Sequence, residues 1–484
     1  MERAEAEAIY DGGREVVVKV LVELSAQNGR LAEPVERLTE SVARQDERIA
    51  ELERRLKRNS RNSSAPPSQD LPGAPGRKRA PSSGRGQGAQ PGHPGRGRGL
   101  LPVEAVDLVV EHWPERCGCG HVFCEAERDG VWEPARHQVS ELPKIAVRVT
   151  EHRLHSRRCP DCGAAARAEL PAGVPGGAFG PRLEAAVATL SVRNRVSRRD
   201  TVELVGELFG CPLSAGTVDA ICRRTGAALE LAYGDLLDHV RCAPAVNIDE
   251  TGWRLRGGRR TLWGAVTSVA AVFRVAPDRH EREATRLLGE DFEGVVGSDR
   301  WWAYRGFDPA HRQVCWSHVI RDFTAHAEGL AAQKEVGERG LDIARRLFRA
   351  WDEFQQDGDR RRLKRRVAPL KRELKALLRQ GSKGKRHKLV RGFSNNLLKV
   401  WPALWTFTDV PGVEPTNNRA ERALRGPVIH RKLSLGSQSD AGERTIERLL
   451  PASVTCRLQR RSLFDYLADA LTARVRGDPT PLLV

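Results

Sequence analysis

A short apolar run that stops on a carboxylate constrains this chain more than any other feature. Val246-Asn247-Ile248-Asp249-Glu250-Thr251 reads as a buried strand that delivers acidic side chains to an open sheet edge. A second run, Gly294-Val295-Val296-Gly297-Ser298-Asp299, ends on an Asp 50 residues later. Adjacent side chains alternate along a strand, so Asp249 and Glu250 are expected on opposite faces. Much further on, Thr416-Asn417-Asn418-Arg419-Ala420-Glu421-Arg422 opens a helix with a third carboxylate. Mg²⁺ prefers carboxylate oxygens. Two strand-end Asp and one helical Glu therefore predict a site for two Mg²⁺ or Mn²⁺ ions acting on a phosphodiester, with Asp249 bridging them. Each acid alone has an ordinary reading. Asp is common in turns after strands, and Asn418 to Glu421 has capping-box spacing.

The flanking patterns place these acids on a sheet. Arg259 to Ser268 and Ala270 to Val275 read as strands that continue a meander from the Asp249 strand. Glu283 to Leu288 reads as a helix, the Asp299 strand follows, and Arg312-Gln313-Val314-Cys315-Trp316 reads as a further strand. That order is the one expected of an α/β ribonuclease H-like catalytic domain. Residues 325–400 are helical in pattern, with Leu341, Ala344, Leu347 and Trp351 on one face. They form a helical insertion ahead of the Glu421 helix. Their basic runs, Arg360 to Arg366 and Lys383 to Arg391, face either solvent or DNA.

Charge points to the partner. Lys and Arg number 80 against 63 Asp and Glu, for a formal charge of +17. Such an excess favours a polyanion, although Arg, Ala and Gly with a single Met also suit a GC-rich coding sequence. No apolar run approaches the roughly 20 residues that cross a bilayer. The acidic N-terminus (Glu2, Glu5, Glu7) has no signal-peptide core. A cytoplasmic, nucleoid-associated protein with no membrane partner is expected, and its ten Cys stay reduced. Clustered Cys then read as metal ligands. Cys117-Gly118-Cys119-Gly120 and Cys159-Pro160-Asp161-Cys162-Gly163 offer four thiolates to a structural Zn²⁺, with strand-like alternation from Val139 to Val149 between them. The first pair is one residue short of Cys-x-x-Cys, so Cys124, His121 or His112 can replace one of its members.

Leu24, Leu31, Leu38, Gln45 and Leu52 share one heptad phase, and Val35, Val42, Ile49 and Leu56 the complementary one. This a/d seam predicts an N-terminal coiled coil that joins two or more copies, with Pro34 in its helix's first turn; an amphipathic helix packed on its own chain is the plainer reading. The Pro/Gly/Arg-rich stretch 59–100 cannot bury enough apolar surface to fold and reads as a linker. Further on, helices are expected over Pro181 to Leu190, from Ser197 to Gly210, and after a cap at Ser214. The last two resemble a helix-turn-helix, in which Arg198, Arg199, Arg223 and Arg224 would meet phosphates. A plain helical subdomain gives the same pattern.

Several ordered motifs resemble the insertion-sequence sixty-six family of bacterial transposases. Asn59 to Ser68 looks like that family's linker signature, and Gln90-Pro91-Gly92-His93 like its next segment. Asp249-Glu250-Thr251 resembles the first catalytic motif, and Ser298-Asp299 with Trp302-Ala303-Tyr304 the second. Cys315-Trp316-Ser317-His318 is similar to the family's Cys-Trp-x-His segment, and Asn417 to Arg425 to its third catalytic motif. Arg431-Lys432, Gly436-Ser437 and Gly442 continue the match. The resemblance implies a DDE transposase with Asp249, Asp299 and Glu421 as catalytic residues, an N-terminal leucine zipper, a zinc-binding domain and a helical insertion. It also implies that the protein cuts the element's ends, joins the freed 3′ hydroxyls to target DNA, and works beside small accessory proteins. His318 would orient a phosphate or a water near the metals, or serve as a structural His. Arg419, Arg422 and Arg425 would clamp DNA phosphates, although their spacing also suits surface pairing.

The expected organisation is a coiled coil at 1–58, a linker at 59–100, a zinc-binding module at 101–175 and a helical helix-turn-helix-like domain at 176–242. The catalytic domain begins at 243–324, the helical insertion spans 325–410, and the catalytic Glu helix with a C-terminal helical segment spans 411–484. The competing function is an inactive, transposase-derived DNA-binding or regulatory protein. Nothing in DNA binding alone requires three carboxylates at these positions.

Overall fold

A computed structural model describes residues 3–56, 59–60, 62, 99–127, 133–329, 331–383 and 388–484. Almost all of the expected linker, and residues 384–387 of the second basic run, lie outside these. The chain divides into two compact units, one of 1–76, 152–203 and 212–484, the other of 77–151 with 204–211.

Helix α1 (Arg3–Asp11) leads into α2 (Arg14–Leu56), a single helix of 43 residues. Pro34 lies inside α2, not in its first turn. The heptad pattern explains the difference, because Leu24 and Leu31 before Pro34 share the phase of Leu38 and Leu52 after it. Leu31, Val35, Leu38, Val42, Ile49 and Leu56 are all exposed. The seam therefore has no neighbour in its own chain among the described residues.

In the smaller unit, Leu101 is tied to Arg136 and Gln138 by hydrogen bonds of 2.6–3.0 Å. Cys117 and His121 close a tight turn through Cys117 N to His121 O (2.9 Å), with Gly120 at φ 97°. The strands expected between Val139 and Val149 do not form: the segment is exposed and has no ladder partner among the described residues. Alternation alone cannot hold a strand without a surface to pack on.

In the larger unit, β1 (Ser156–Arg158) and β2 (Ala165–Arg167) make an antiparallel hairpin whose turn carries Cys159 and Cys162. Helices α3 (Pro181–Val192), α5 (Ala215–Ala228) and α6 (Glu230–Arg241) follow, while α4 (Arg198–Phe209) belongs to this unit only up to Glu203. Ser214 caps α5 by accepting from Thr217 N at 3.1 Å. Next come β3 (Ala245–Leu255), β4 (Gly258–Val266), β5 (Ala271–Ala276), α7 (Glu281–Leu288), β6 (Val295–Ser298) and β7 (Arg312–Val314). They form one sheet in the order β5-β4-β3-β6-β7. The meander β3-β4-β5 is antiparallel, whereas β6 and β7 add in parallel. The expected strand Arg312–Trp316 stops at Val314. Cys315 is instead the N-cap of α8 (Trp316–Ala327), and Trp316 is buried with its Nε1 donating to Leu404 O at 2.8 Å.

Helices α9 (Ala331–Asp357), α10 (Arg360–Lys383), α11 (Lys388–Lys399) and α12 (Thr406–Asp409) build a second core with α8. A Cβ at Gly337 or Gly340 would collide with Ala327 or Phe323, so these glycines let α8 and α9 lie close together. The chain then returns to the sheet through α13 (Asn418–Ser434), α14 (Asp440–Leu458) and α15 (Leu463–Arg476). The helices of 176–242 close no core of their own. Ala185, Cys222, Leu236 and Val240 share one apolar cluster with Ile248 and Trp263 of the sheet and Leu449 and Leu467 of the last helices. No helix among the described residues is long and apolar enough to cross a membrane.

Candidate functional site

The sheet register relates the two strand-end acids. Parallel β3 and β6 pair Ala245 with Val295, Val246 with Val296 and Asn247 with Gly297. Asp249 and Asp299 each follow the last pair by two residues, and the charge of Asp299 reaches the Asp249 carboxyl. Burial holds the Asp249 carboxyl well above the usual range, and the charges of Glu250, Asp299 and Glu421 add to that shift. Burial also raises Asp299, against the Trp301 N–H that it accepts at 2.8 Å and the nearby Arg312, Arg279 and Arg300. Crowded carboxylates of this kind are destabilising unless cations neutralise them.

Glu250 is buried and held by Arg279 and by the Tyr304 hydroxyl.

Glu421 sits in the first turn of α13 and is half-buried. It does not act as a cap. Asn417 is the N-cap, no side chain caps the helix, and Glu421 Oε1 is buried without a hydrogen-bond partner among the described residues. His318 Nδ1 is likewise unpartnered and lies 3.8 Å from that oxygen; Arg321 approaches the same oxygen at 3.8 Å. Burial first, then Arg321, hold His318 down to about 4, against the pull of Glu421. The ring is therefore neutral at pH 7 and has a lone pair to offer. Potential ligand atoms of Cys315, His318 and Glu421 lie within 4.8 Å of one another, making them a possible metal-holding group. Asp249, Asp299 and Glu421 do not all converge within that distance.

Two side chains that the sequence did not flag hold this arrangement. Asn417 is buried; its Nδ2 donates to Ile248 O at 2.8 Å, its Oδ1 accepts from Asn247 Nδ2 at 2.8 Å, and its N–H points to Cys315 Sγ at 3.1 Å. It pins the start of α13 to β3 and to the start of α8. Arg312, also buried, donates to Ser298 Oγ (3.0 Å), Tyr304 O (2.8 Å) and Asp299 O (2.5 Å). It braces the loop that carries Asp299, and burial pulls its guanidinium down to about 10. Only the position of Asn417 beside Glu421 hinted at its importance, and nothing marked Arg312.

The expected DNA-contact arginines have acidic partners in several cases. Arg198 and Arg223 pair with Asp219 at 3.5 and 3.1 Å, and Arg224 pairs with Glu184 at 2.6 Å. Arg419 is tied to Glu414 at 2.7 Å. Arg199, Arg422 and Arg425 are exposed. The zinc candidates Cys117, Cys119 and Cys162 are exposed and Cys159 is half-buried. Backbone N–H groups of Cys162 and Asp161 hold the Cys159 thiol below its ordinary range, and that of His121 does the same for Cys119.

Comparison with known proteins fixes the class first: the chain is a DNA-processing protein of the transposase type. More narrowly, it belongs to the transposase IS66 family, whose model matches residues 176–445, more than half of the 484. A family of unknown function matches residues 15–99. The uncharacterised protein y4jD of Sinorhizobium fredii is 25% identical over 423 residues, covering 80% of this chain and 80% of its own length. The uncharacterised protein y4hP of the same organism is 26% identical over 433 residues, covering 79% of this chain and 74% of its own.

Proposed function

We propose that this chain is an active DDE transposase that binds insertion-element ends, hydrolyses their phosphodiesters and transfers the 3′-OH ends to target DNA. Asp249, Asp299 and Glu421 are the ligands we assign to two Mg²⁺ or Mn²⁺ ions. The observation that carries this reading is the set of crowded, partly unsatisfied acids. The Asp249–Asp299 pair repels itself, and Glu421 Oε1 has no partner among the described residues. Oxygen donors of that kind suit a hard divalent ion. Bound ions would supply charge neutralisation and activation of the attacking hydroxyl.

The protein's own groups do the remainder. Asn417 and Arg312 hold the acids in place. Neutral His318 accepts a proton or orients a water beside Glu421. Arg422 and Arg425, exposed on α13, meet DNA phosphates, as does exposed Arg199. The order of three antiparallel strands followed by two parallel ones supports a ribonuclease H-like catalytic domain, interrupted by the α9–α12 insertion. The exposed α2 seam supports self-association as a coiled coil, giving one protomer for each element end. Each cysteine turn, taken by itself, offers thiolate donors of the kind that hold a structural Zn²⁺.

Strand transfer of pre-cut end oligonucleotides with Mg²⁺ tests the reading. Joined products that vanish in Asp249→Asn support it. Full activity in that variant overturns the assignment, and DNA binding without any cutting or joining by the unaltered protein would favour a regulatory role.

A further inference from the structure

A basic concavity lies away from the arginines that sequence singled out. It encloses about 1130 Å³ between the tip of the β3–β4 hairpin, the loop after β5 and the C-terminal end of α13. Its cations are Arg254, Arg259, Arg260, Arg279, Arg431 and Lys432, and its one acid is Asp278. Asp278 is already engaged by Arg282 and by the His280 N–H. Arg279 is bound to Glu250, and Arg260 lies 3.7 Å from Glu443. Arg254, Arg259 and Lys432 are exposed and have no carboxylate within ion-pair distance among the described residues. Burial lowers the Arg431 guanidinium, and the like charge of Arg254 lowers it further. Of these cations, Arg254, Arg259 and Lys432 are left to meet an anion from outside.

The walls are rigid. Ser437 N donates to Arg254 O at 2.9 Å, and Arg256 N donates to Ser437 O at 3.0 Å. A Cβ at Gly436 (φ 91°) would collide with Arg254, so only glycine lets this segment dock. Trp253 closes the floor, its Nε1 donating to Ser437 Oγ at 3.2 Å. These bonds fix the backbone of the groove, so binding need order only the contacting side chains.

The groove also continues the strand of Asp249. Arg254 lies five residues further along β3, about 17 Å at about 3.3 Å per residue, with its side chain on the face of Glu250 by alternation. That is roughly five phosphate steps of a B-form strand. We propose that this groove binds the phosphodiester backbone of the DNA flanking the reacting bond, with Arg254, Arg259 and Lys432 as its phosphate contacts. The proposal rests on the DNA-processing reading above. It assigns the positioning of the substrate to the far end of β3 and not to the α4–α5 arginines.

The test is binding of a fluorescent DNA duplex to the full chain in EDTA, across a salt series. Arg254→Glu/Arg259→Glu should weaken binding at least about tenfold, and Arg254→Gln/Arg259→Gln should lower the log–log salt slope by about two. Arg345→Glu on α9 should change neither. If the Glu pair fails to fold, judged by thermal melting, the Gln pair carries the test alone. Unchanged affinity and slope in the folded variants, with wild-type binding intact, overturns the groove and leaves the transposase reading standing. No DNA binding by the wild type at any salt overturns that reading itself.

Discussion

Asp249 on β3 and Asp299 just past the end of β6 each follow by two residues the last pair of a parallel register that joins residues 50 apart, and the charge of Asp299 reaches the Asp249 carboxyl. Among the described residues neither acid has a cation bonded directly to its carboxylate, and each is raised by burial. Buried acids raised in this way are a recurring feature of functional sites. Asp249→Asn, Asp299→Asn and Glu421→Gln should each lower strand transfer by about a hundred- to a thousandfold, the loss expected when several kcal/mol of charge stabilisation is removed. The metal-free Asp249→Asn protein should melt no lower than wild type, since it relieves like-charge repulsion. A large drop in melting temperature would show that Asp249 is structural.

His430 gives a pH dependence of definite sign. Its ring is stacked on Trp253, with 6.3 Å between centroids and 2° between planes. Burial holds it down to about 4, with help from Arg198 and Arg195. In the unfolded chain a His titrates near about 6.5. Between those values the unfolded state binds a proton that the folded state does not. This contribution is therefore complete above about pH 6.5 and is lost as pH falls, by about 2 kcal/mol at pH 5. Urea unfolding at pH 7 and pH 5 should show that His430→Phe loses about that much less than wild type on acidification.

The strands of the β3–β5 meander and the α5 cap were legible because they are local. An apolar run and a Ser before a helix depend on neighbours in sequence. Partners brought by the fold were not legible. Arg198, Arg223 and Arg224 looked like free phosphate contacts until Asp219 and Glu184 came alongside. Arg312 looked like one more strand arginine, yet it is the buried brace of the Asp299 loop. Pro34 suggested a helix start because its cost is local, whereas the seam that runs past it is set by residues on both sides. The basic groove draws its walls from three separate stretches, so no window of sequence contains it.

Asn417 should act as a positioning residue. Truncation to Ala leaves Ile248 O and the Asn247 amide buried without their partner, at a cost of about 1–3 kcal/mol. Strand transfer should fall by about ten- to a hundredfold as Glu421 loses its anchor, the scale seen when groups supporting a metal ligand are removed. Asn417→Asp keeps the acceptor toward Asn247 but cannot donate to Ile248 O, and should recover less than half of the lost stability. Chemical denaturation and single-turnover joining assays separate the two effects.

Arg312 is predicted to resist even conservative exchange. Its guanidinium reaches three acceptors at once, and a Lys ammonium has no such planar fork. Arg312→Lys should destabilise the protein by about 1–3 kcal/mol for the buried acceptors left unpaired. It should also lower joining activity, because Asp299 sits on the released loop. Unfolding in urea gives the first quantity and strand transfer the second; an unchanged midpoint would show that the loop is held elsewhere.

The exposed face of α2 predicts how the protein associates. Leu31, Leu38 and Val42 are more than half exposed in the single chain. On a helix of 43 residues that is a continuous apolar stripe with no cover among the described residues. A second copy of the same helix would bury it in knobs-into-holes packing, and Gln45 at a core position would fix the register at some cost in affinity. Leu38→Glu should therefore shift the protein from dimer or larger to monomer in sedimentation velocity, without altering the melting of the catalytic body. Gln45→Leu should tighten association and loosen its register, visible as mixed oligomers. If Leu38→Glu leaves the assembly intact, protomers are joined through another surface, and the stripe instead packs along its own chain.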